Sequence, residues 1–471
     1  MSMARIAAGH YEPDGVGDGR KVCVNLFSEP NENDPNRPMR HALRPGARSL
    51  DTGGVLTGIP RGIGQVDGHA SGNILVVDGN TVRTVTTAGV WGSLSGTVSG
   101  TDRVRMAFGE VEGAILSGGQ IYVSTGSAVA QAVDSDYALH LSNHSQTEFV
   151  DIFSIGQRLG FLYGSRFGWS DTLDFNSTST TYFLTTEDSP DANVGAAVLN
   201  SLVYIFGSET IQPFVQTGQE GAAAFRPQVG STIQRGCLSK HTIQQLDNTL
   251  FWVGDDYSVY RLNGLTPALI SKPWLSRRLR AEDSTDIVSS YMEIEGHSFY
   301  ILNGALGCYA YDASSGEWFL WKTYGRDTLE WSQVVEASGD HFAISGFESD
   351  FAQLSRDYVT DSAAGLEIVT EWSAHLPILG GRVAIPSVRV DGTKGRGSGA
   401  DASQDAYISM ALSKDNGITR GAYRDRSTGK QGEYRKRAIW RQNGRAREPQ
   451  VTLFFRSNDP HMINGVAIGE D

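Results

Sequence analysis

At 471 residues, with 55 glycines and 20% charged side chains, the chain is too long for one ordinary core and reads as a turn-rich, strand-rich globular protein of two or three domains. Forty basic against 53 acidic residues leave a formal charge of −13, which argues against a general nucleic-acid coat and against attraction to an anionic membrane. No apolar run approaches the roughly 18 residues of a bilayer span, and the start lacks the apolar centre of a signal peptide. The three widely spaced cysteines, Cys23, Cys237 and Cys308, have no metal-ligand spacing and read as reduced, buried thiols.

Residues 1–54 are rich in Pro, Asn, Gly and charge, with one clear strand at Lys21–Phe27. An extended arm is expected, adding a strand to another domain or to a neighbouring subunit, because a lone strand leaves its backbone groups unpaired. From 55 to 357 one pattern recurs: an apolar strand, a glycine turn and a second alternating strand. Its copies include Asn73–Gly79 into Thr81–Val85, Gly113–Gly118 into Gln120–Val123, Leu159–Gly164 into Phe167–Trp169 and Leu250–Gly254 into Tyr257–Tyr260. The turn glycines 79, 118, 164, 207, 254, 304 and 346 lie 39 to 50 residues apart, and tight hairpins favour glycine because they need positive φ. A period of about 40 to 50 residues belongs to propeller blades, so an all-β fold with a β-propeller of six or seven blades is expected. Paired sandwiches, the competing reading, carry turn signals about every 8 to 12 residues without a longer period. Irregular insertions are expected near 172–193 and 216–236, and one short helix over Ser276–Asp283. After a polar break, Leu366–Trp372, Ser387–Val390, Tyr407–Leu412, Arg437–Trp440, Val451–Phe455 and Ile463–Ile468 read as a C-terminal β-sandwich over 366–471. Within it, 391–405 has the composition of an exposed mobile loop.

The chain is chemically quiet: no nucleophile elbow, phosphate loop, dinucleotide fingerprint, zinc spacing or calcium loop occurs. Ser413–Arg420 resembles the Asp-box turn of sialidase-type propellers, with Arg420 where the box has Trp, and reads as a plain hairpin turn. Asp255 and Asp256 are an acid pair on a turn, whereas glycoside cleavage needs two carboxylates across one cleft. No catalytic, cofactor or metal residue is therefore nominated, and no enzyme is expected. The strong charge feature is 420–447, where Arg420, Arg424, Arg426, Lys430, Arg435, Lys436, Arg437, Arg441, Arg445 and Arg447 meet only Asp425 and Glu433. Ten cations less two anions give +8, which leaves −21 for the rest of the chain. A strand over Tyr434–Arg441 would put Arg435, Arg437 and Arg441 on one face, with Asn443–Gly444 as a hairpin turn. Such arginines suit DNA phosphates, or the carboxylates of a subunit or partner. The second is favoured, since attractive charge lining a channel would slow DNA passage.

Several stretches, in order, resemble the tail-hub or nozzle proteins of short-tailed bacteriophages, the packaged-DNA stabilisation family. They are Val24-Asn-Leu-Phe27 with Leu43-Arg-Pro-Gly46, Leu199–Ile211, Ile233–Cys237, Thr249–Gly254, Val259–Gly264, Tyr309–Ser315 and Arg437–Arg445. The resemblance implies a structural virion protein of the tail, assembled in the host cytoplasm, with six copies in a ring below the head-to-tail adaptor. It implies a ring that continues the double-stranded DNA channel, retains packaged DNA, and docks spikes or fibres at its side and a needle or plug at its tip. It brings no catalytic residues, cofactor or small-molecule substrate. The N-terminal arm and C-terminal sandwich are expected to form the adaptor-facing platform. The alternative is a carbohydrate-binding or glycan-cleaving propeller whose turn loops line a sugar site.

Overall fold

Short apolar strands joined by tight turns bury themselves most simply by pairing with their chain neighbours. The computed structural model describes residues 2–4, 9–11, 21–31, 39–51, 53–186, 191–361, 365–375, 381–398, 403–455 and 462–468. It divides into two units, Ser49–Ala305 with Trp331–Gln353, and Met1–Arg48 with Leu306–Glu330 and Leu354–Asp471.

The first unit holds five four-stranded antiparallel sheets built from consecutive strands. The first runs Pro60–Gly64, Ile74–Asp78, Thr81–Val85, Trp91–Ser93, and the second Arg105–Phe108, Gly113–Ser117, Gln120–Ser124, Val129–Gln131. The third runs Asp151–Ile155, Arg158–Tyr163, Arg166–Asp171, Asp174–Thr185, and the fourth Asn193–Leu199, Leu202–Gly207, Ile211–Gln216, Phe225–Pro227. The fifth is Gln244–Leu246, Thr249–Val253, Val259–Asn263, Thr266–Leu269. Two hairpins follow, Val288–Ile294 with His297–Asn303 and Trp331–Ala337 with Asp340–Ser345.

Each sheet packs on the next. Leu75, Val77 and Val82 of the first meet Ile115 and Tyr122 of the second; Leu116 and Ile121 meet Phe161 and Tyr163 of the third. Trp169 and Phe167 meet Val203 and Phe214 of the fourth, and Tyr204 and Phe206 meet Trp252 and Tyr260 of the fifth. The Tyr300 hydroxyl donates to the Thr242 carbonyl at 2.6 Å, and Glu293 N–H to His341 Nε2 at 3.3 Å. Phe342 and Ile344 of the last hairpin then pack on Ile74, Val76 and Val85 of the first sheet. This circular succession is a β-propeller, in which both faces of every inner sheet are covered by a neighbour.

The turn glycines divide by reason. Gly79, Gly118 and Gly164 take φ of +57°, +57° and +53°, the left-handed region that the turn demands. Gly207 and Gly304 are needed for space instead: an added Cβ would lie 2.3 Å from the Asp191 carboxylate or 2.7 Å from that of Glu282. The stretches read as insertions carry structure. Asp174–Thr185 and Phe225–Pro227 are the fourth strands of the third and fourth sheets, and Trp169 is buried with Tyr182 stacked on it at 6.3 Å. The expected helix lies earlier, at Pro273–Arg280, with Pro in its first turn, where the missing N–H costs nothing. A second helix, Ser135–Ser142, is capped by Asp134 and turns Tyr137, His140 and Leu141 inward.

The second unit is a sandwich. One sheet runs Leu26–Pro30, Met39–Leu43, Met462–Ile468, Ser387–Gly392, Ala438–Arg441. The other contains Cys308–Asp312, Glu317–Trp321, Cys23–Val24, Thr370–His375, Gln450–Phe455, Ala406–Ser413 and Arg424–Gly429, in that order. Val390 and Ala438 of one sheet and Ile408 and Phe455 of the other are buried around one narrow gap between the sheets. The arm strand crosses from one sheet to the other at Asn25, whose φ of +58° is tolerated best by Asn or Gly. The described part of 391–405 is no loose loop. Gly395 and Gly397 are buried and donate backbone bonds to Thr428 (3.0 Å) and Gly429 (3.2 Å); 399–402 lie outside the described residues.

Candidate functional site

The basic segment is built on the edges of the two sandwich sheets. Arg424–Gly429 flanks Ala406–Ser413, with Arg424 opposite Met410 and Arg426 opposite Ile408; Ala438–Arg441 flanks Ser387–Gly392, with Trp440 opposite Val388. Side chains stitch these edges together. Arg426 Nε donates to the Ile439 carbonyl at 3.0 Å, Trp440 Nε1 to the Arg424 carbonyl at 2.6 Å, Asn443 Nδ2 to the Trp440 carbonyl at 2.9 Å, and Arg424 to Asn443 Oδ1. Cationic side chains over an open edge also discourage stray strand pairing.

The expected strand over Tyr434–Arg441 is shorter, Ala438–Arg441. Arg435 and Arg437 ride on the turns before it, where Glu433 N–H reaches the Lys430 carbonyl at 3.0 Å and Lys436 N–H the Glu433 carbonyl at 3.2 Å. Within the strand the alternation holds, with Ala438 and Trp440 buried and Arg441 exposed. Asn443–Gly444 does not close a hairpin on it. Gln442 at φ +57° and Gly444 at φ +80° lead the chain away, and Arg445–Ala446 pairs instead with Val383–Ala384.

Structure sorts eight of the ten cations of 420–447 into two sets. Arg420 bridges Glu371 at 2.9 Å, and Lys436 bridges Asp405 (3.1 Å) and Glu433 (3.2 Å); the Lys436 hydrogen bond holds the Asp405 carboxyl below its ordinary range. Together with Arg424 and Arg426 they serve the fold. Arg435, Arg437, Arg445 and Arg447 are exposed, and no carboxylate among the described residues pairs with them. Two cations that the sequence reading missed, Arg382 and Lys414, join Arg445 and Arg447 around an open cavity of about 520 Å³. No local signal announces this, because Arg382 arrives through the distant strand Val383–Ala384.

The other candidate groups are already engaged. Asp255 and Asp256 share Arg235 at 3.4 and 3.5 Å, and Asp256 accepts the Tyr260 hydroxyl at 2.7 Å, so the pair sits on one turn rather than across a cleft. In Ser413–Arg420, Asp415 accepts from Thr419 N–H (2.9 Å), Thr419 Oγ1 (2.6 Å) and Ser413 Oγ (2.7 Å). Those bonds, Thr419 foremost, bring its carboxyl down to about 2, and the segment is a self-closed turn. The three cysteines are free and buried, and burial pushes Cys237 and Cys308 up to about 12. Thiols so far from ionising are poor nucleophiles and ligands. Among the described residues no three His, Cys, Asp or Glu side chains gather to hold a metal ion.

Two stretches that carried the likeness to phage tail hubs meet in the sandwich. Arg44 Nε donates to Asn25 Oδ1 at 2.8 Å, while Asn25 Nδ2 donates to the carbonyls of Lys322 (2.9 Å) and Val369 (2.7 Å). Arg44 also pairs with buried Asp361 at 2.5 Å. Comparison with protein families agrees with this architecture in order and extent: residues 6–338 match "Bacteriophage P22 Gp10, beta-propeller" and residues 371–463 match "Bacteriophage P22 Gp10, beta-sandwich". The chain belongs to the bacteriophage P22 Gp10 family. It is thus a tail-nozzle structural protein by family, an all-β chain of propeller and C-terminal sandwich. No curated protein matches it by sequence. Among solved structures it is similar to PorZ, a surface component of the type-IX secretion system of Porphyromonas gingivalis (11% identity, TM-score 0.38, 67% of this chain and 42% of that one). It is also similar to the extracellular domain of the one-component system BT4673 of B. thetaiotaomicron (10% identity, TM-score 0.41, 92% of this chain and 62% of that one). This Gp10-family chain therefore spans less than two thirds of either.

Proposed function

We propose that this chain forms the hexameric hub or nozzle of a short-tailed phage. Six copies close a ring below the head-to-tail adaptor, continue its DNA channel and hold packaged DNA until a needle or plug leaves. The match of both Gp10 parts, propeller then sandwich, along one chain carries the reading. Its function is then geometric: the β-propeller supplies a stiff body, and the arm with the sandwich supplies the platform that faces the adaptor. Cyclic rings use heterologous interfaces that close on themselves, and exposed cations against an otherwise acidic chain suit such contacts. Spikes or fibres dock at the ring's side, assembly takes place in the host cytoplasm, and no catalytic step is required of it.

Electron microscopy of the parent particles with a label on this chain's C terminus tests the reading. Six labels in a ring at the tail are expected; a label elsewhere, or none on particles, removes it. Changing Arg437, Arg441 and Arg445 to Glu should abolish incorporation into particles, and normal incorporation with normal DNA retention would take the basic edge out of the mechanism.

A further inference from the structure

The ribbon Val383–Ala384 with Arg445–Ala446 sets Val383 opposite Ala446 and Ala384 opposite Arg445. Arg382 and Arg447 flank this ribbon at one end and line one groove with Arg445. Like charges gathered in this way repel one another. Lys414 adds to the crowd: its Nζ lies 3.2 Å from where a Cβ on Gly444 would sit, so glycine at that position leaves room for the ammonium. No carboxylate lines the 520 Å³ groove these four residues share, and none of the four pairs with an acid among the described residues. The neighbouring Asp415 carboxylate is occupied by Thr419 and Ser413. Folding gains nothing from gathering four cations in this way; a ligand with several anionic oxygens would.

We propose that this groove is a docking site for a carboxylate-rich, partly apolar segment of a second copy of this chain. The inference rests on the ring assembly above and names one contact within it. Two observations select this occupant over nucleic acid. Every copy carries a net −21 outside 420–447, so acidic surface is present at the required stoichiometry. Exposed apolar side chains lie next to the groove's cations along the chain, Val383 directly after Arg382 (38% exposed) and Ile418 in the turn that bears Lys414 (57% exposed). Arginine mixed with exposed apolar groups fits a protein interface, whereas tracking a phosphate backbone draws on charge. Carboxylates from a neighbour turn the repulsion within one copy into pairing between two, so the groove favours the assembled state.

Replacing Arg382 by a photo-crosslinking phenylalanine analogue in particles, followed by mass spectrometry, tests the occupant. The expected product joins position 382 to an Asp/Glu-containing peptide of this same chain. Crosslinks to DNA, to a different protein, or to nothing overturn the proposal. In parallel, the pair Arg382→Glu and Arg447→Glu should weaken ring formation at least about tenfold in a sedimentation titration. Reversing the charge of the crosslinked acidic segment should restore it. An unchanged melting profile shows that the variant folds, as expected for exposed positions. Equal ring formation by variant and wild type overturns the groove while leaving the hub reading intact. A wild-type chain that forms no ring in solution or in particles overturns both.

Discussion

Arg44 and Arg447 lie in the same unit and carry the same group, yet their surroundings are opposite. Arg44 is 2% exposed, and its guanidinium is spent on Asn25, on the carbonyls of Pro45 and Lys322, and on Asp361. Arg447 is exposed beside three other cations with no acid to answer them. A buried guanidinium must have its donors filled, because desolvation is otherwise unaffordable. An exposed one can stay unfilled at little cost in water, and so can be kept for a partner. The difference separates arginines that make this fold from arginines that the fold presents.

The largest effect should come from breaking the buried pair. Arg44→Met leaves Asp361 charged and unpaired, and should lower the unfolding free energy by about 3–5 kcal/mol in urea titration. A loss below about 1 kcal/mol would put Arg44 in the same class as Arg447. Acid should act next. Burial lowers His41 from 6.5 to about 4, so the folded state keeps it neutral while the unfolded state takes up a proton below 6.5. Stability should therefore fall as pH drops from about 6.5 towards 4, by about 3 kcal/mol from this group, and His41→Gln should flatten that slope. Trp440→Phe, which strips the Arg424 carbonyl of its indole donor at the sandwich edge, should cost about 1–2 kcal/mol. Smallest of all, Arg435→Ala with Arg437→Ala should shift stability by no more than about 0.5 kcal/mol; a larger loss would place these two among the fold-making arginines.

What the sequence disclosed follows the range of the interactions involved. The hairpins at Gly79, Gly118 and Gly164 were legible because a two-residue turn and its flanking strands are local, and the period of those turns revealed the propeller. Asp174–Thr185 was not, because its Ser and Thr alternation looks like a loop until Phe175 and Thr178 are seen buried against neighbouring strands. The helix Ser135–Ser142 is too short to show a helical period. Asn25 gave no sign of its role, which depends on carbonyls at Lys322 and Val369 far along the chain. The basic edge was visible as composition, but its division into stitched and presented arginines, and the entry of Arg382 and Lys414, are properties of strand pairing across long separations.

The position of Cys23–Val24 has a consequence for biosynthesis. This short strand lies between Glu317–Trp321 and Thr370–His375, so a ribosome that has just released it must make some three hundred further residues before either neighbour exists. The first propeller sheet likewise waits for Phe342 and Ile344. Contacts of such long range slow folding, and an unmatched strand held open meanwhile is a template for the wrong partner. The yield of correctly folded chains would then be set by how long each nascent Cys23–Val24 strand stays unclaimed, and slower translation near residue 370 would lengthen that exposure.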